Sequence, residues 1–151
     1  MSEINRILDQ LKRAYEGEAW HGPSVKEVLA GVTAVQAAAK PLPNAHSIWE
    51  IVQHIAFWEN GLRRRLAGEV FKARLEDEWP AVTDTSEAAW QNTLAALERG
   101  QHELRQAISE LTEARLSERV PGEPYSIYFM LHGVIQHDLY HAGQIALLKK
   151  A

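Results

Sequence analysis

The sequence feature that most restricts the fold is the helical period of residues 126–150, where two histidines interrupt an apolar stripe. The stripe repeats at spacings of three and four and comprises Ile127, Met130, Val134, His137, His141, Ile145 and Leu148. Side chains four residues apart lie one above the other on a helix, so His137 and His141 can point both imidazoles at one place. A buried polar ring without a partner costs on the order of a few kcal/mol. These rings therefore require either hydrogen-bond acceptors in the core or a divalent metal.

The spacing of this pair does not by itself choose between the two interpretations. A chain with seven histidines often contains two of them four residues apart by accident, and short motifs of this kind can match falsely. A core histidine can also donate to a backbone carbonyl without any metal. A third histidine on the buried face of another helix would favour the metal.

Three other long segments have the amphipathic period of helices that pack on one side. They cover residues 2–16, 47–67 and 86–114. Ser47 and Glu50 have the spacing of a capping box, which marks the start of the second of these helices. No segment shows the period of two that is typical of half-buried strands. The sequence therefore predicts an all-α protein, a four-helix bundle in which residues 1–151 form a single domain.

The connections between these helices differ in length and content. Ser24 and Glu27 have the spacing of a further capping box and predict a short helix, and residues 33–40 could add one or two helical turns. Residues 68–85 have little helical period and contain Trp79 followed by a proline, so we interpret them as a long connection with at most a short ordered turn. A connection of this length can cross from one end of a bundle to the other, which lets consecutive helices run parallel.

Residues 47–67 supply the third histidine. Their apolar stripe comprises Ile51, His54, Ile55, Trp58, Leu62 and Leu66, which places His54 on the buried side. Helical bundles build metal sites from side chains on facing helices. Three nitrogen ligands leave at least one coordination position for water or substrate, as in catalytic zinc sites. Imidazole ligands suit zinc, nickel, copper and iron.

Over essentially its whole length the chain resembles the DinB-like superfamily of metal proteins, which includes bacillithiol- and mycothiol-dependent transferases and isomerases. The resemblance rests on residues 47–55 and on residues 137–145, His-Asp-Leu-Tyr-His-Ala-Gly-Gln-Ile. It implies that His54, His137 and His141 are the metal triad, without substitution, and that the bundle runs up-down-down-up and is often dimeric. Zinc or nickel is the ion we expect.

Two classes of function are compatible with such a site. The first is an enzyme, in which the metal generates a nucleophile near neutral pH. The resemblance then implies a transferase that uses a small-molecule thiol, or a hydrolase. The second is a non-catalytic stress-response or binding module whose metal stabilises the fold. In either class, metal binding should weaken below about pH 6, because protons compete for ordinary imidazoles.

Five other residues are candidates for the surroundings of the metal. Gln144 lies one turn beyond the last histidine of the stripe and could hold a metal-bound water or orient a ligand. Asp138 and Glu50 each lie within one turn of a ligand and could accept its second N–H, although a solvated charge on the helix face is the interpretation that we favour for both. His46 and His21 lie in loops, where they could line the mouth of the pocket or simply pack the loop.

The remaining histidines and the interrupted stripe of residues 86–114 receive simpler interpretations. His102 faces away from that stripe, and His132 is turned well away from the metal pair on its own helix. Gln101 interrupts the stripe and could be a satisfied core amide, which we favour, or a wall of the site.

The composition of the chain excludes several classes of partner and site. The net charge of -4 argues against a nucleic-acid binder, which would carry a basic face. No apolar run approaches the roughly 18 residues of a membrane span. The absence of cysteine excludes disulfides and Cys-ligated zinc, and we expect a cytoplasmic protein that acts on a small molecule. Five tryptophans, with Gly133 and Gly143 allowing close approach on the last helix, favour a homodimer.

Overall fold

A computed structural model describes all 151 residues and contains only helices and their connections. The α-helices are α1 (Glu3–Glu16), α2 (Val25–Leu29), α3 (Ala34–Ala38), α4 (Ile48–Leu66), α5 (Leu75–Glu78), α6 (Glu87–Ser109) and α7 (Ile127–Leu148). A 3₁₀ helix covers Glu113–Ser117, and no strand is present. The all-α prediction is therefore confirmed. None of the helices combines the length and the apolar content that a membrane span requires.

Each of the four long helices begins directly after a serine that caps it. The hydroxyl oxygens of Ser2, Ser47, Ser86 and Ser126 accept a hydrogen bond from the backbone N–H three residues later. At the start of α4 the carboxylate of Glu50 also accepts the N–H of Ser47, at 2.7 Å, which completes the predicted capping box. These local contacts explain why the helix starts could be predicted from the sequence.

Helix α6 ends at Ser109, five residues before the predicted end at position 114. Thr112 has an extended backbone, after which the chain forms the 3₁₀ helix. The Glu113 side chain then accepts the backbone N–H of Ile4, at 3.1 Å, at the start of α1. A contact with a distant helix thus accompanies this end, and the period of the sequence alone does not contain it.

The long helices pack in a closed arrangement in which α1 and α4 each contact both α6 and α7. Trp49 bonds to Thr93, and Glu59 bonds to Gln101 further along both helices, so α4 and α6 run in the same direction. This pair is joined by residues 67–86, which contain only the single turn of α5.

Contacts at helix ends give the directions of the other pairs. The start of α1 meets the segment after α6, through Ile4 and Glu113. Arg65 near the end of α4 bonds to Tyr125, just before α7 begins, at 2.9 Å. Helices α1 and α6 therefore run in opposite directions, as do α4 and α7.

The interior has a polar layer between two apolar clusters. One cluster uses the first halves of α4 and α6 and the last part of α7, and the other uses the second halves of α4 and α6 and the first part of α7. Between them, along the same helices, lie buried polar side chains, which we call the polar layer: His54, Glu59, Gln101, Asp138 and His141. This layer positions the candidate site.

Candidate metal centre

Three histidines from two helices converge at the polar layer. The Nε2 atom of His137 lies 3.0 Å from Nε2 of His54 and 3.1 Å from Nε2 of His141. The candidate ligand atoms of all three lie within 4.8 Å of one another. Two nitrogens bound to one ion at about 2.0–2.1 Å are separated by about 2.9–3.4 Å for angles between 90° and 109°. The two short separations therefore match those of adjacent ligands on a single ion.

The second nitrogens of two of these rings determine which nitrogen faces the centre. The Nδ1–H of His54 donates to the backbone carbonyl of Glu78 at 3.2 Å. The Nδ1–H of His141 donates to Oε1 of Gln144 at 2.6 Å. In both rings Nε2 then carries a lone pair that points at the third ring, as in metal-binding histidines.

The donor set fits a cation better than it fits a hydrogen-bond network. Nε2 of His137 can donate its single proton to only one of the two lone pairs that face it. At least one close pair of nitrogens therefore has no hydrogen between them. The Nδ1 atom of His137 is buried without a hydrogen-bond partner, so no acceptor fixes this ring in another tautomer. A divalent ion would satisfy all three Nε2 atoms together.

The pKa values of all three imidazoles are lowered, which favours metal binding. Burial lowers the pKa of His54 to about 4 and that of His137 to about 3, and repulsion from neighbouring imidazolium charge lowers both further. Burial also lowers the pKa of His141. All three rings are therefore neutral at pH 7, and a metal would have almost no protons to displace from His54 and His137.

The segment between α4 and α6 holds His54 in place. The indole of Trp79 stacks on its ring with centroids 3.9 Å apart and planes within 6°. His46 stacks on the opposite face of Trp79 at 3.5 Å and 2°. The sequence interpretation treated this segment as a connection only and missed both Trp79 and the carbonyl of Glu78. An aromatic residue inside a segment without helical period was the one available signal for Trp79.

A pocket of about 440 Å³ adjoins the centre. Its polar walls include His141, Gln144 and His46, and its apolar walls include Trp79 and Tyr140. The structure thus places Gln144 and His46 in the wall of this pocket, which for His46 is the less favoured of its two interpretations and for Gln144 goes with its bond to His141. A small molecule in this pocket would contact one ring of the histidine cluster directly.

Asp138 requires a correction, because a solvated position on a helix face was the favoured alternative for it. Its side chain is completely buried. One oxygen accepts the Nε2–H of Gln101 at 3.0 Å, and the same amide donates to Glu59 at 2.8 Å. Burial raises the pKa of Asp138 to about 8, and burial together with the neighbouring Asp138 charge raises the pKa of Glu59 well above its usual value. Gln101 is a core amide, as we favoured, but only its nitrogen is bonded, and its buried Oε1 has no hydrogen-bond partner.

Glu50 and His21 do not reach the centre. The carboxylate of Glu50 accepts the N–H of Ser47 and, at 3.0 Å, the ammonium of Lys40, so it bonds to no imidazole of the cluster. His21 is exposed, and its Nε2 lies 3.2 Å from the carbonyl oxygen of Pro23. These two residues are candidates that the structure leaves outside the site.

The histidines that were set aside as ligands also lie elsewhere. His102 is exposed on α6. Nε2 of His132 lies 3.9 Å from a carboxylate oxygen of Glu3 on α1. The convergence is therefore restricted to the three histidines of the cluster.

An all-helical fold whose core brings three imidazoles to one point fits metal binding, since helical bundles build metal sites from side chains on facing helices. The family model of the DinB superfamily matches residues 19–145. The chain belongs to the DinB superfamily, which confirms the resemblance based on the two histidine segments. Comparison with curated proteins and with solved structures found no significant match.

Proposed function

We propose that His54, His137 and His141 bind one divalent ion, with zinc or nickel as the first candidates. The observation that carries this proposal is the approach of three Nε2 atoms in the core, with two rings oriented by acceptors on Nδ1. Three protein ligands leave room in the coordination sphere for a small molecule, as in catalytic zinc sites. Nitrogen ligands suit both metals, and coordination geometry distinguishes them.

We further propose that the protein is a metal-dependent transferase acting on a small-molecule thiol. A divalent ion at this centre supplies Lewis acidity that turns a thiol or water into a nucleophile near neutral pH. Hydrolysis assisted by a carboxylate as general base requires that carboxylate within hydrogen-bond reach of the reacting water. The two carboxylates that lie within one turn of a ligand on the same helix, Asp138 and Glu50, are bonded to other partners. Thiol transfer, which needs no such base, is therefore favoured over hydrolysis.

The residues around the centre have separate tasks in this proposal. Glu78 and Trp79 orient and cover His54, while Gln144 fixes the tautomer of His141. The pocket beside His141 admits the substrate, and His46 forms part of its wall. Substrate binding is thus assigned to the pocket, and orientation of the ligands to Gln144, Trp79 and the backbone carbonyl of Glu78.

A purely structural metal is the second candidate function. The centre lies in the polar layer between the two apolar clusters, where a bound ion would join α4 to α7. An ion that binds only the folded state stabilises it. In this alternative the same three histidines bind the metal, but the metal-loaded protein transfers no thiol.

The proposed fold is the up-down-down-up four-helix bundle that the family implies. It is supported by the parallel course of α4 and α6 and by the opposite course of the pairs α1–α6 and α4–α7. In such a bundle the long segment 67–86 must run from the end of α4 back to the start of α6. That path is what allows Trp79 to lie on His54.

We also propose a homodimer that buries one face of α7. Phe129, Tyr140 and Leu147 share that face by helical spacing and are 63%, 66% and 70% exposed. A helix that is apolar on its exposed side as well as its buried side needs a second partner. Light scattering should give twice the mass of one chain, and Leu147→Glu should halve it. Leu75→Glu, at an exposed leucine on α5, should leave the mass unchanged.

Metal titration by calorimetry tests the metal site. The variants His54→Ala, His137→Ala and His141→Ala should each lose most of the affinity of the parent. His102→Ala and His132→Ala are the matched controls and should retain it. If a control loses metal as readily as the cluster variants, or the parent binds none, the three rings are ordinary core histidines.

A second assay separates the enzyme from the structural alternative. The zinc-loaded and nickel-loaded protein is mixed with a thiol and an aryl chloride, and release of chloride is followed. In the reaction, the thiol sulfur forms a bond to the ring carbon, the carbon–chlorine bond breaks, and the thiol proton passes to solvent. Turnover that disappears in His141→Ala supports the transferase. Tight metal binding without turnover for any thiol supports the structural role.

A further inference from the structure

A second pocket lies on the other side of the cluster, beside His137, and the proposed function does not yet use it. Its volume is about 210 Å³, and its walls include Trp58, Phe129, Met130 and Gly133. The two pockets share no residue. Since His137 lines one and His141 lines the other, the histidine cluster separates them.

The residues that line this pocket favour an apolar group as its ligand. The one charged residue there, Arg65, has its guanidinium bonded to Glu123, Tyr125 and the carbonyl of Phe71 at 2.9 Å each. The same group lies 5.5 Å from the centroid of Trp58. All three of its nitrogens are bonded to protein oxygens, although Glu123 also pairs with Lys72. The guanidinium is thus held by its own partners and is not free to bind an anionic ligand. The remaining walls favour burial of carbon.

The pocket has room for a ring or a short alkyl chain. A cavity of about 150 Å³ lined by aliphatic and aromatic side chains accepts benzene, and this pocket is larger. Gly133 on α7 contributes to the space, because a Cβ added there meets no atom within 4 Å. A bulky side chain at this position would therefore meet no clash at its Cβ, and since Gly133 lines the pocket, we expect the side chain to narrow it.

We propose that this pocket, which we call the apolar subsite, receives an alkyl or aryl group of the molecule whose polar end reaches the three-histidine centre. The proposal rests on the proposed function for the role of the centre. It assigns the substrate class: a thiol, or the electrophile that accepts its sulfur, with an uncharged apolar substituent. Gly133 is then a residue that determines specificity, because its missing side chain leaves the subsite open.

The matched control is Gly143, on the same helix. A Cβ added at Gly143 also meets no atom within 4 Å, but this residue lines neither the apolar subsite nor the pocket beside His141. Leucine at either position should raise helix propensity, so both variants should fold. Circular dichroism and zinc calorimetry should show the parent's helix content and metal affinity in both. Because both glycines lie on the helix of the proposed dimer face, binding is compared under conditions in which light scattering gives the same mass for both variants. Gly133→Ala, a smaller change, gives a second test of the same position.

The first arm of the experiment uses metal-free protein, so its result is independent of the proposed metal chemistry. Benzyl alcohol is titrated and binding is read from tryptophan fluorescence, since Trp58 forms part of the wall. The parent and Gly143→Leu should bind it, while Gly133→Leu should lose at least about tenfold in affinity. Equal binding by all three proteins, or no binding by the parent, overturns the apolar subsite.

The second arm uses zinc-loaded protein and straight-chain thiols from ethanethiol to pentanethiol. Affinity should rise about fourfold for each methylene that enters the subsite, as expected for burial of a methylene group. This rise should disappear in Gly133→Leu and persist in Gly143→Leu. A parent that binds all four thiols equally overturns the proposal. If the parent binds no zinc, the proposed function fails, and the benzyl alcohol arm alone decides the subsite.

Discussion

Lowering the pH from 7 to 5 should weaken metal binding by less than about 30-fold, because most of the cluster holds no protons in this range. A proton competes with a metal only when it occupies the ligand nitrogen. The pKa of His54 is lowered to about 4 and that of His137 to about 3. Both rings are therefore unprotonated at pH 7 and, for the most part, still unprotonated at pH 5.

The magnitude follows from the occupancy of each ring. A histidine with an ordinary pKa of 6.5 loses about 25-fold in effective affinity over these two pH units, and three of them lose about 10⁴-fold. With their lowered pKa values, His54 and His137 together lose less than about 1.2-fold. The pKa of His141 is also lowered, so its loss is less than about 25-fold. With these lowered pKa values, we expect metal binding to weaken at a lower pH than the value of about 6 that ordinary imidazoles predict.

Calorimetry in buffers of different ionisation enthalpy gives both the affinity and the number of protons released. At pH 6, ordinary rings would release about two protons per metal, whereas we expect fewer than one. Circular dichroism at each pH must show a folded protein. His102→Ala is the control for exposed histidines. A fall of about 10⁴-fold between pH 7 and 5, with two protons released at pH 6, would mean that the metal-free cluster is open to water, and the reasoning would be refuted.

Three further perturbations test the surroundings of the cluster. Raising the pH from 4 to 6 should lower the free energy of unfolding of the parent by about 2 kcal/mol more than that of Asp138→Asn, as measured with urea. The reason is that the raised pKa of about 8 makes the folded parent hold a proton that the unfolded chain releases, so the parent loses stability as the pH rises. Gln144→Leu should reduce metal affinity about tenfold in calorimetry, because the Nδ1–H of His141 loses its acceptor. Trp79→Leu should weaken metal binding by a similar factor, whereas the same change at Trp20, which is fully exposed, should have no effect. Equal effects at the two tryptophans would show that Trp79 does not position the site.

Most of the fold was predictable because each long helix carries its own period and cap. The segment predicted at 47–67 corresponds to Ile48–Leu66, since Ser47 and Glu50 form their box without help from the rest of the chain. The end of α6 was not predictable in the same way, because it coincides with the contact between Glu113 and Ile4. Local signals therefore predicted the helix starts, whereas the end of α6, which is followed by this tertiary contact, was predicted five residues too late.

The cluster itself was predictable because all three histidines occupy stripe positions of amphipathic helices. The residues that cover the cluster could not be predicted in this way. The acceptor for His54 is a backbone carbonyl, which any residue at position 78 would provide, and Trp79 reaches the ring only through the path of the connection. Asp138 was misjudged although it lies four residues after Val134 and three before His141, which is also stripe spacing.

The burial of Asp138 bears on how the cluster is oriented. Of the neighbours His137 and Asp138 on α7, Asp138 is completely buried and His137 is only half-buried. The helix is therefore rotated so that the carboxyl group of Asp138, and not the ring of His137, points to the centre of the core. The amide of Gln101 bridges this carboxyl to Glu59 on α4. This bridge links α7 through α6 to the helix that carries His54. Each of the three side chains has one buried oxygen without a partner, and a turned α7 would also break the bond between Gln101 and Asp138, at a cost of about 1–3 kcal/mol. The network therefore favours one rotation of α7. We infer that the network sets the position from which His137 reaches the other two rings.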